Sequence, residues 1–268
     1  MLRLPIRLLA TAVAALTAFS LRAQTEIEPS LQIDMVSHYM WRGTDMAGVS
    51  IQPAGKLSWQ GFSVQLGSSM GLTSDELQKL DLTVGYSAYG FNIGVTDYWS
   101  TGIDYAGLNR YFYYDPRRSA HQYEGNIGYS CPYFSLQAYT MFWGNDYKYE
   151  TEKDYKQRAN GKRAYSTYLE LRVPVYLMGL DWDFSAGVTP FESAGYTTKE
   201  MVDFGQGEER ANVRKYFYAG GPACIMLSAR ATKNFTLGDI KVPAFAEIHT
   251  NPYTQKAQFL VGVSVIPF

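Results

Sequence analysis

Three histidines, His38, His121 and His249, are the side chains of this chain whose charge changes most readily near neutral pH. If the chain is extended, His121 falls beside Asp97 on a neighbouring strand, and both share one face. A carboxylate that orients an imidazole is two parts of a hydrolytic triad. The third part is missing: no Ser shares that frame, Thr140 is the nearest hydroxyl, and Thr nucleophiles take a terminal amine as base. A lipid hydrolase or deacylase working from this face is therefore an incomplete reading, no catalytic residue is assigned, and an enzyme is not expected. His38 and His249 form a second group on the opposite face near one rim, with Glu247 and Arg42 in the same register. Neither belongs to a close-spaced ligand motif, so they read as polar lining, with no metal or cofactor expected.

Both groups depend on strands to place them. From Leu31 onward, apolar residues recur at every second position in blocks of about ten, as in a strand with one face in lipid and one in water. In the first block Leu31, Ile33, Met35, Tyr39 and Trp41 alternate with Gln32, Asp34, His38 and Arg42. Further blocks run Ile51 to Trp59, Phe62 to Leu66, Leu80 to Tyr86, Phe91 to Val95, Tyr123 to Tyr129 and Phe134 to Phe142. The rest are Thr167 to Val173, Leu180 to Val188, Ile225 to Ala229, Ile240 to Ile248 and Phe259 to Val265. The expected fold is all-β, a 12-stranded antiparallel up-and-down transmembrane barrel. Connections alternate in length. Short turns fall around Gln60-Gly61, Tyr89-Gly90, Cys131-Pro132, Met178-Gly179 and Lys233 to Gly238; the longest loops are Ser100 to Ala120, Gly144 to Arg163 and Glu192 to Pro222. In the closing block Phe268 falls off the frame of Phe259, Val261, Val263 and Val265, which predicts a bulge at Pro267 or a slip of frame.

The amino end predicts export. Arg3 and Arg7 precede the apolar run Leu8 to Phe19, and small Ala23 marks a cut before Gln24, so residues 1–23 read as a cleavable signal peptide and 24–268 as one barrel domain. The run is too short for a spanning helix, which needs about 20 apolar residues. Aromatics make up 15% of the chain, with 22 Tyr, and they flank both the short turns and the long loops, as rings at two water–lipid boundaries would. Export and this patterning place the chain in a bacterial outer membrane, in contact with its lipid and lipopolysaccharide. Without Arg3, Arg7 and Arg22 the formal charge falls from −1 to −4, so no nucleic-acid partner is implied. Cys131 and Cys224 are too few for a disulfide framework.

The inward frame collects Asp34, Asp81, Glu124, Glu170, Asp181, Asp183 and Glu247 against Arg42, Lys56, Lys79, Arg172, Arg230 and Lys241. A nearly balanced lining gives no strong ion filter. It suits a narrow passage for small polar solutes, further limited by Tyr139, Tyr168 and Phe245, or a closed barrel with its charges paired across a filled interior. A third reading is an accessory barrel. Lys148, Lys153, Lys156, Arg158, Lys162 and Arg163 crowd one loop and Arg110, Arg117 and Arg118 flank Tyr111 to Tyr114, where they could grip lipopolysaccharide phosphates or a partner protein. Asp146, Glu150, Glu152 and Asp154 interleave the first cluster, so a solvated mixed-charge loop is its simplest description.

Ser37-His38-Tyr39-Met40-Trp41-Arg42-Gly43, followed by Ile51-Gln52-Pro53, resembles the opening hairpin of the TorF-like porins, a family of outer-membrane barrels. Val242-Pro243-Ala244-Phe245, Asn251-Pro252 and Gly262 are similar to that family's closing hairpin. The resemblance covers the two ends of the chain rather than its middle. It implies an outer-membrane barrel of unsettled substrate and brings no catalytic residues.

Overall fold

The computed structural model describes residues 26–72, 78–101, 110–116, 119–148, 162–203 and 208–267. The signal peptide expected over 1–23, the off-frame Phe268, and Arg117, Arg118, Lys153, Lys156 and Arg158 of the loop clusters lie outside the described residues. Strands are numbered in chain order. The chain opens with β1 (Glu28–Val36), a small hairpin of β2 (Tyr39–Trp41) and β3 (Thr44–Ala47), then β4 (Ser50–Trp59), β5 (Phe62–Gly71), β6 (Gln78–Ala88) and β7 (Phe91–Ser100). It continues through β8 (His121–Ser130), β9 (Ser135–Trp143), β10 (Thr167–Leu177), β11 (Leu180–Thr189) and a hairpin of β12 (Gly195–Asp203) and β13 (Glu208–Tyr216). It ends with β14 (Ala223–Lys233), a hairpin of β15 (Thr236–Leu237) and β16 (Ile240–Lys241), then β17 (Ala244–Asn251) and β18 (Lys256–Val265).

Twelve of these strands close a barrel in the order β1, β18, β17, β14, β11, β10, β9, β8, β7, β6, β5, β4, every pair antiparallel. Closure is made by β1 on β18, from Ile33 opposite Val265 to Val36 opposite Gly262, and the Ser37 N–H extends it to the Val261 carbonyl. Each wall strand therefore has a hydrogen-bonded neighbour on both sides, which is how a closed barrel satisfies its backbone in lipid. Three turns at one end are two-residue loops with both φ positive: Gln60-Gly61 (49°, 86°), Tyr89-Gly90 (53°, 85°) and Met178-Gly179 (56°, 74°). That geometry matches the twist of paired strands, and glycine accepts it without strain.

Burial is inverted relative to a water-soluble sheet protein. Leu57, Val64, Leu82, Ile93, Ile127, Leu171, Ile248 and Phe259 stand exposed around the outside, while Glu124, His249 and Ser69 are buried inside. A contiguous apolar belt of this kind suits hydrocarbon.

Two expectations change. The block from Leu31 to Arg42 is not one strand: β1 stops at Val36, and Tyr39 and Trp41 turn inward on the β2–β3 hairpin instead of facing lipid. The hairpin reverses at Arg42 and Gly43, with φ of 48° and 82°. The block from Ile240 to Ile248 is also interrupted, because Pro243 cannot donate to a ladder; β17 begins at Ala244, and Ile240–Lys241 pairs with β15 beyond the turn end of the barrel. At the carboxyl end β18 keeps an unbroken frame to Val265, and Ile266 leaves it to exchange backbone hydrogen bonds with Lys241.

Candidate functional site

Among the described residues the larger buried hydrophobic cluster forms a stopper inside the lumen at its long-loop end. Trp41 of the hairpin packs on the buried cluster Tyr168, Tyr218, Ala219, Ile225 and Met226, with Tyr139, Phe217 and Ala223 around it. Gly187 on β11 leaves the space that the Tyr168 ring fills. Arg42 at the hairpin tip carries the stopper's charge. Its Nη1 and Nη2 donate to the two carboxylate oxygens of Glu124 at 2.5 and 2.7 Å, and Nη1 also donates to the Tyr218 hydroxyl at 2.5 Å. The Tyr98 hydroxyl donates to the same carboxylate at 2.9 Å. The guanidinium lies over Tyr139, Trp41 and Tyr168, 4.2, 4.7 and 4.8 Å from their centroids. Both side chains of the pair are nearly inaccessible, at 8% and 2%. A buried charge survives only when paired and hydrogen-bonded, and the fork-on-carboxylate geometry with three ring faces meets that demand.

A second strut comes from β6. Lys79 Nζ lies 3.1 Å from Asp81 Oδ2, donates to the Tyr39 hydroxyl at 3.2 Å and sits over Tyr98 and Trp41. A third comes from β17, where the Gly43 N–H donates to His249 Nε2 and Asn251 Nδ2 donates to the Gly43 carbonyl, both at 3.1 Å. The hairpin thus touches β6, β8, β9, β10, β14 and β17 around the bore.

Behind the Phe217–Ala219 segment, buried hydroxyls tie three loops together. Ser166 donates from Oγ and N to Asp146 at 2.5 and 3.2 Å, Ala194 N donates to Ser166 Oγ at 2.8 Å, and Ser193 Oγ donates to the Ala219 carbonyl at 3.0 Å. Burial pushes the Asp146 carboxyl above the usual carboxylate range, against the donors from Ser166.

Below the stopper lies a chamber of about 330 Å³. One wall is a ladder of alternating charge over the adjacent strands β10, β11, β14 and β17. Arg172 reaches Glu170 at 3.3 Å and Asp183 at 3.5 Å, Arg230 reaches Glu247 at 2.7 Å, and Glu247 accepts from His249 Nδ1 at 3.0 Å. Across the barrel the inward side chains of β4 to β8 include the neutral pairs Gln52 on Ser69, Thr83 on Thr96 and Asn126 on Asn92. His38, between β1 and β2, also borders the chamber.

The other residues expected in the lumen separate. Asp34 sits on β1 and accepts from Gln32; Asp181, near the turn end, accepts from Asn234 at 2.5 Å; Lys56 is exposed on β4. Lys241 lies on β16, outside the wall, so it cannot line the bore. The periodicity left Tyr98, Tyr218, Gly43 and Asn251 unnoticed. The clue available was the Trp41-Arg42-Gly43 tripeptide, a charge flanked by an aromatic ring and a turn residue.

On the outside of the barrel Asp97 and His121 do meet. His121 Nδ1 lies 2.9 and 3.0 Å from the Asp97 carboxylate oxygens, and Nε2 lies 2.5 Å from the Tyr111 carbonyl. Tyr114 stacks on the ring at 4.4 Å, leaving it 0% exposed. Both ring nitrogens are occupied by protein oxygens and the ring is shut away from solvent, so neither nitrogen is open to an incoming nucleophile. Thr140 Oγ1 is engaged by Thr167 Oγ1 at 2.9 Å. The dyad fastens the Tyr111–Tyr114 loop against the wall. Cys131, at the β8–β9 turn, and Cys224, at the start of β14, are free thiols.

No protein-family model matches the chain, and no curated protein matches it in sequence. Solved structures of similar course include a chain from work on the in-meso crystallization of membrane proteins, 10% identical, TM-score 0.40, covering 89% of this chain and 83% of that one. CdiB from Acinetobacter baumannii is 10% identical with a TM-score of 0.35, over 90% of this chain and 60% of its own. OmpF of Salmonella typhi, in complex with daunomycin, is 10% identical with a TM-score of 0.35, over 90% of this chain and 97% of its own. Likenesses this distant bring no residue roles to this chain.

Proposed function

We propose that this chain is a bacterial outer-membrane barrel, a narrow channel for small polar solutes whose outer mouth is closed at rest by the β2–β3 hairpin. One observation carries the reading: the hairpin and the Phe217–Ala219 segment, neither of them part of the wall, enter the bore and pack there against the wall side chains Tyr139, Tyr168, Ile225 and Met226. Below them the wall contributes small polar side chains such as Ser63, Thr83, Asn92, Asn126 and Ser135, all partly accessible. A barrel built only as a solid post would fill its interior with wall side chains. The export signal read from Arg3 to Ala23, the exposed apolar belt and the resemblance of Ser37–Gly43 to the TorF-like porins support the same assignment. Near-neutral charge in the chamber favours neutral or zwitterionic solutes over a single ion class.

The second reading is a non-conducting accessory barrel that binds lipopolysaccharide or a partner protein through its long-loop end, where Arg110, Lys148, Lys162 and Arg163 gather. It is favoured by how fully the Arg42–Glu124 pair is satisfied, each Glu124 oxygen accepting from Arg42 and one also from Tyr98. Planar-bilayer recording of the purified protein separates the two. The wild type should show rare, small openings, and a variant with residues 39–47 replaced by a short Gly-Ser bridge should stay open. A bridged variant that folds and passes no more current than protein-free lipid refutes the channel.

A further inference from the structure

Gly43 is the point of the stopper gripped by its backbone. With φ at 82°, and with a Cβ there running into the Ile225 carbonyl, only glycine occupies the seat. Its N–H has one acceptor, Nε2 of His249, a ring just 5% exposed. The other ring nitrogen, Nδ1, faces Glu247 Oε1 at 3.0 Å. A ring that donates from Nδ1 and accepts at Nε2 carries a single proton, a tautomer set by the two partners. Protonation turns the Nε2 lone pair into an N–H aimed at the Gly43 N–H, donor against donor. The Glu247 side is untouched, because Nδ1 donates in both states.

His249 faces the neutral Ser228 of β14 and Gln258 of β18 across the ladder, and charge reaches it from several other groups. Glu247 lies on its own strand, Arg230 of β14 is paired with Glu247, and Asp45 of β3 accepts from Gln258 of β18. Arg42 is held by Glu124, and His38, Glu170 and Arg172 border the chamber beneath. None of these side chains accepts from the Gly43 N–H, so among the described residues nothing replaces Nε2.

We propose that His249 is a proton-operated latch on the stopper: the neutral ring holds Gly43 and the hairpin in the bore, and protonation releases them and opens the lumen. The effect on current rests on the channel reading above, whereas the latch itself is measurable without current.

Hydrogen–deuterium exchange of the full-length protein, corrected for intrinsic rates, reads the peptide covering residues 39–47 from about pH 7.5 to about pH 5, either side of the ordinary histidine range. Corrected exchange should rise about two- to tenfold, the equilibrium equivalent of one neutral hydrogen bond. His249→Gln, which accepts without titrating, should give a flat profile. The double variant His38→Gln and His121→Gln leaves His249 as the sole histidine and should keep the wild-type response. A flat wild-type profile, a response that survives in His249→Gln, or one lost in the double variant overturns the latch. Should His249→Gln fail to fold, the wild-type and double-variant profiles decide. Bilayer current recorded in parallel separates the two ideas: faster exchange without new current keeps the latch and refutes the channel, and new current without faster exchange refutes the latch.

Discussion

Glu124→Leu is the sharpest test of the stopper. The substitution leaves the Arg42 guanidinium buried with the Tyr218 hydroxyl and three ring faces as its remaining partners. Breaking a buried pair by removing one member costs about 3–5 kcal/mol. The surviving cation–π contacts, about 1–2 kcal/mol together, are already present in the wild type and set how much holds the hairpin afterwards. The hairpin has an escape that a core residue lacks: it can leave the bore and hydrate Arg42. The loss should therefore appear as undocking, with the docked-to-undocked ratio falling by about two to three and a half orders of magnitude, while the barrel stays closed.

Trypsin supplies the assay, since the Arg42–Gly43 bond is shielded when docked and lies on a free loop when released. The wild type should resist cleavage there, Glu124→Leu should be cut after Arg42, and both should keep heat-modifiable mobility on a denaturing gel. Glu124→Gln, which retains one acceptor oxygen, should be cut more slowly than Glu124→Leu. Equal resistance of Glu124→Leu and wild type would refute the claim that this pair holds the hairpin.

Three further outcomes are expected. Arg172→Glu, on a side chain 52% exposed to the lumen, should shift the reversal potential toward cations and leave folding intact, whereas Leu171→Glu, next to it on the lipid face, should impair folding; bilayer recording and gel mobility read the two. Gly187→Ala drives a methyl group into the Tyr168 ring and should cost about 1–3 kcal/mol, seen as a lower midpoint in a thermal or denaturant melt. Asp146 has a folded-state pKa above its unfolded value, so its contribution is present below the unfolded carboxylate range and is lost as pH rises through the folded value. Asp146→Asn should accordingly remove part of the stability difference between acidic and neutral pH, and an unchanged difference would contradict the burial argument.

The wall was legible because its signal is local and repeated. A period of two in the apolar residues, cut by Gln60-Gly61, Tyr89-Gly90 and Met178-Gly179, gives strand number and pairing without any long-range information. The same signal misplaced Tyr39 and Trp41, because an inserted hairpin alternates as a wall strand does. What separates the two is the set of partners, Glu124, Tyr218 and Ile225, which lie far off in the chain. Lys241 misled for another reason: its parity was right, but Pro243 had already ended the ladder, a break that proline's missing donor does announce. Parity brought Asp97 and His121 together, yet it said nothing of the Tyr111 carbonyl that occupies Nε2, since loop conformation has no period.

The choice of chemistry in the stopper bears on what the barrel is for. An apolar hairpin filling the same space would dock more firmly, since well-packed hydrophobic groups commonly match or exceed a buried ion pair. Much of the attraction between Arg42 and Glu124 instead goes to offsetting their desolvation, so the net hold is modest although each contact is strong. The same residues make removal of one partner costly, so the docked state has one arrangement. A single defined closed state with a small net hold is poorly suited to a structural post and well suited to a plug that must leave. The His249–Gly43 bond adds a group whose acceptor disappears with one proton, which places control of that departure at the tip of the hairpin.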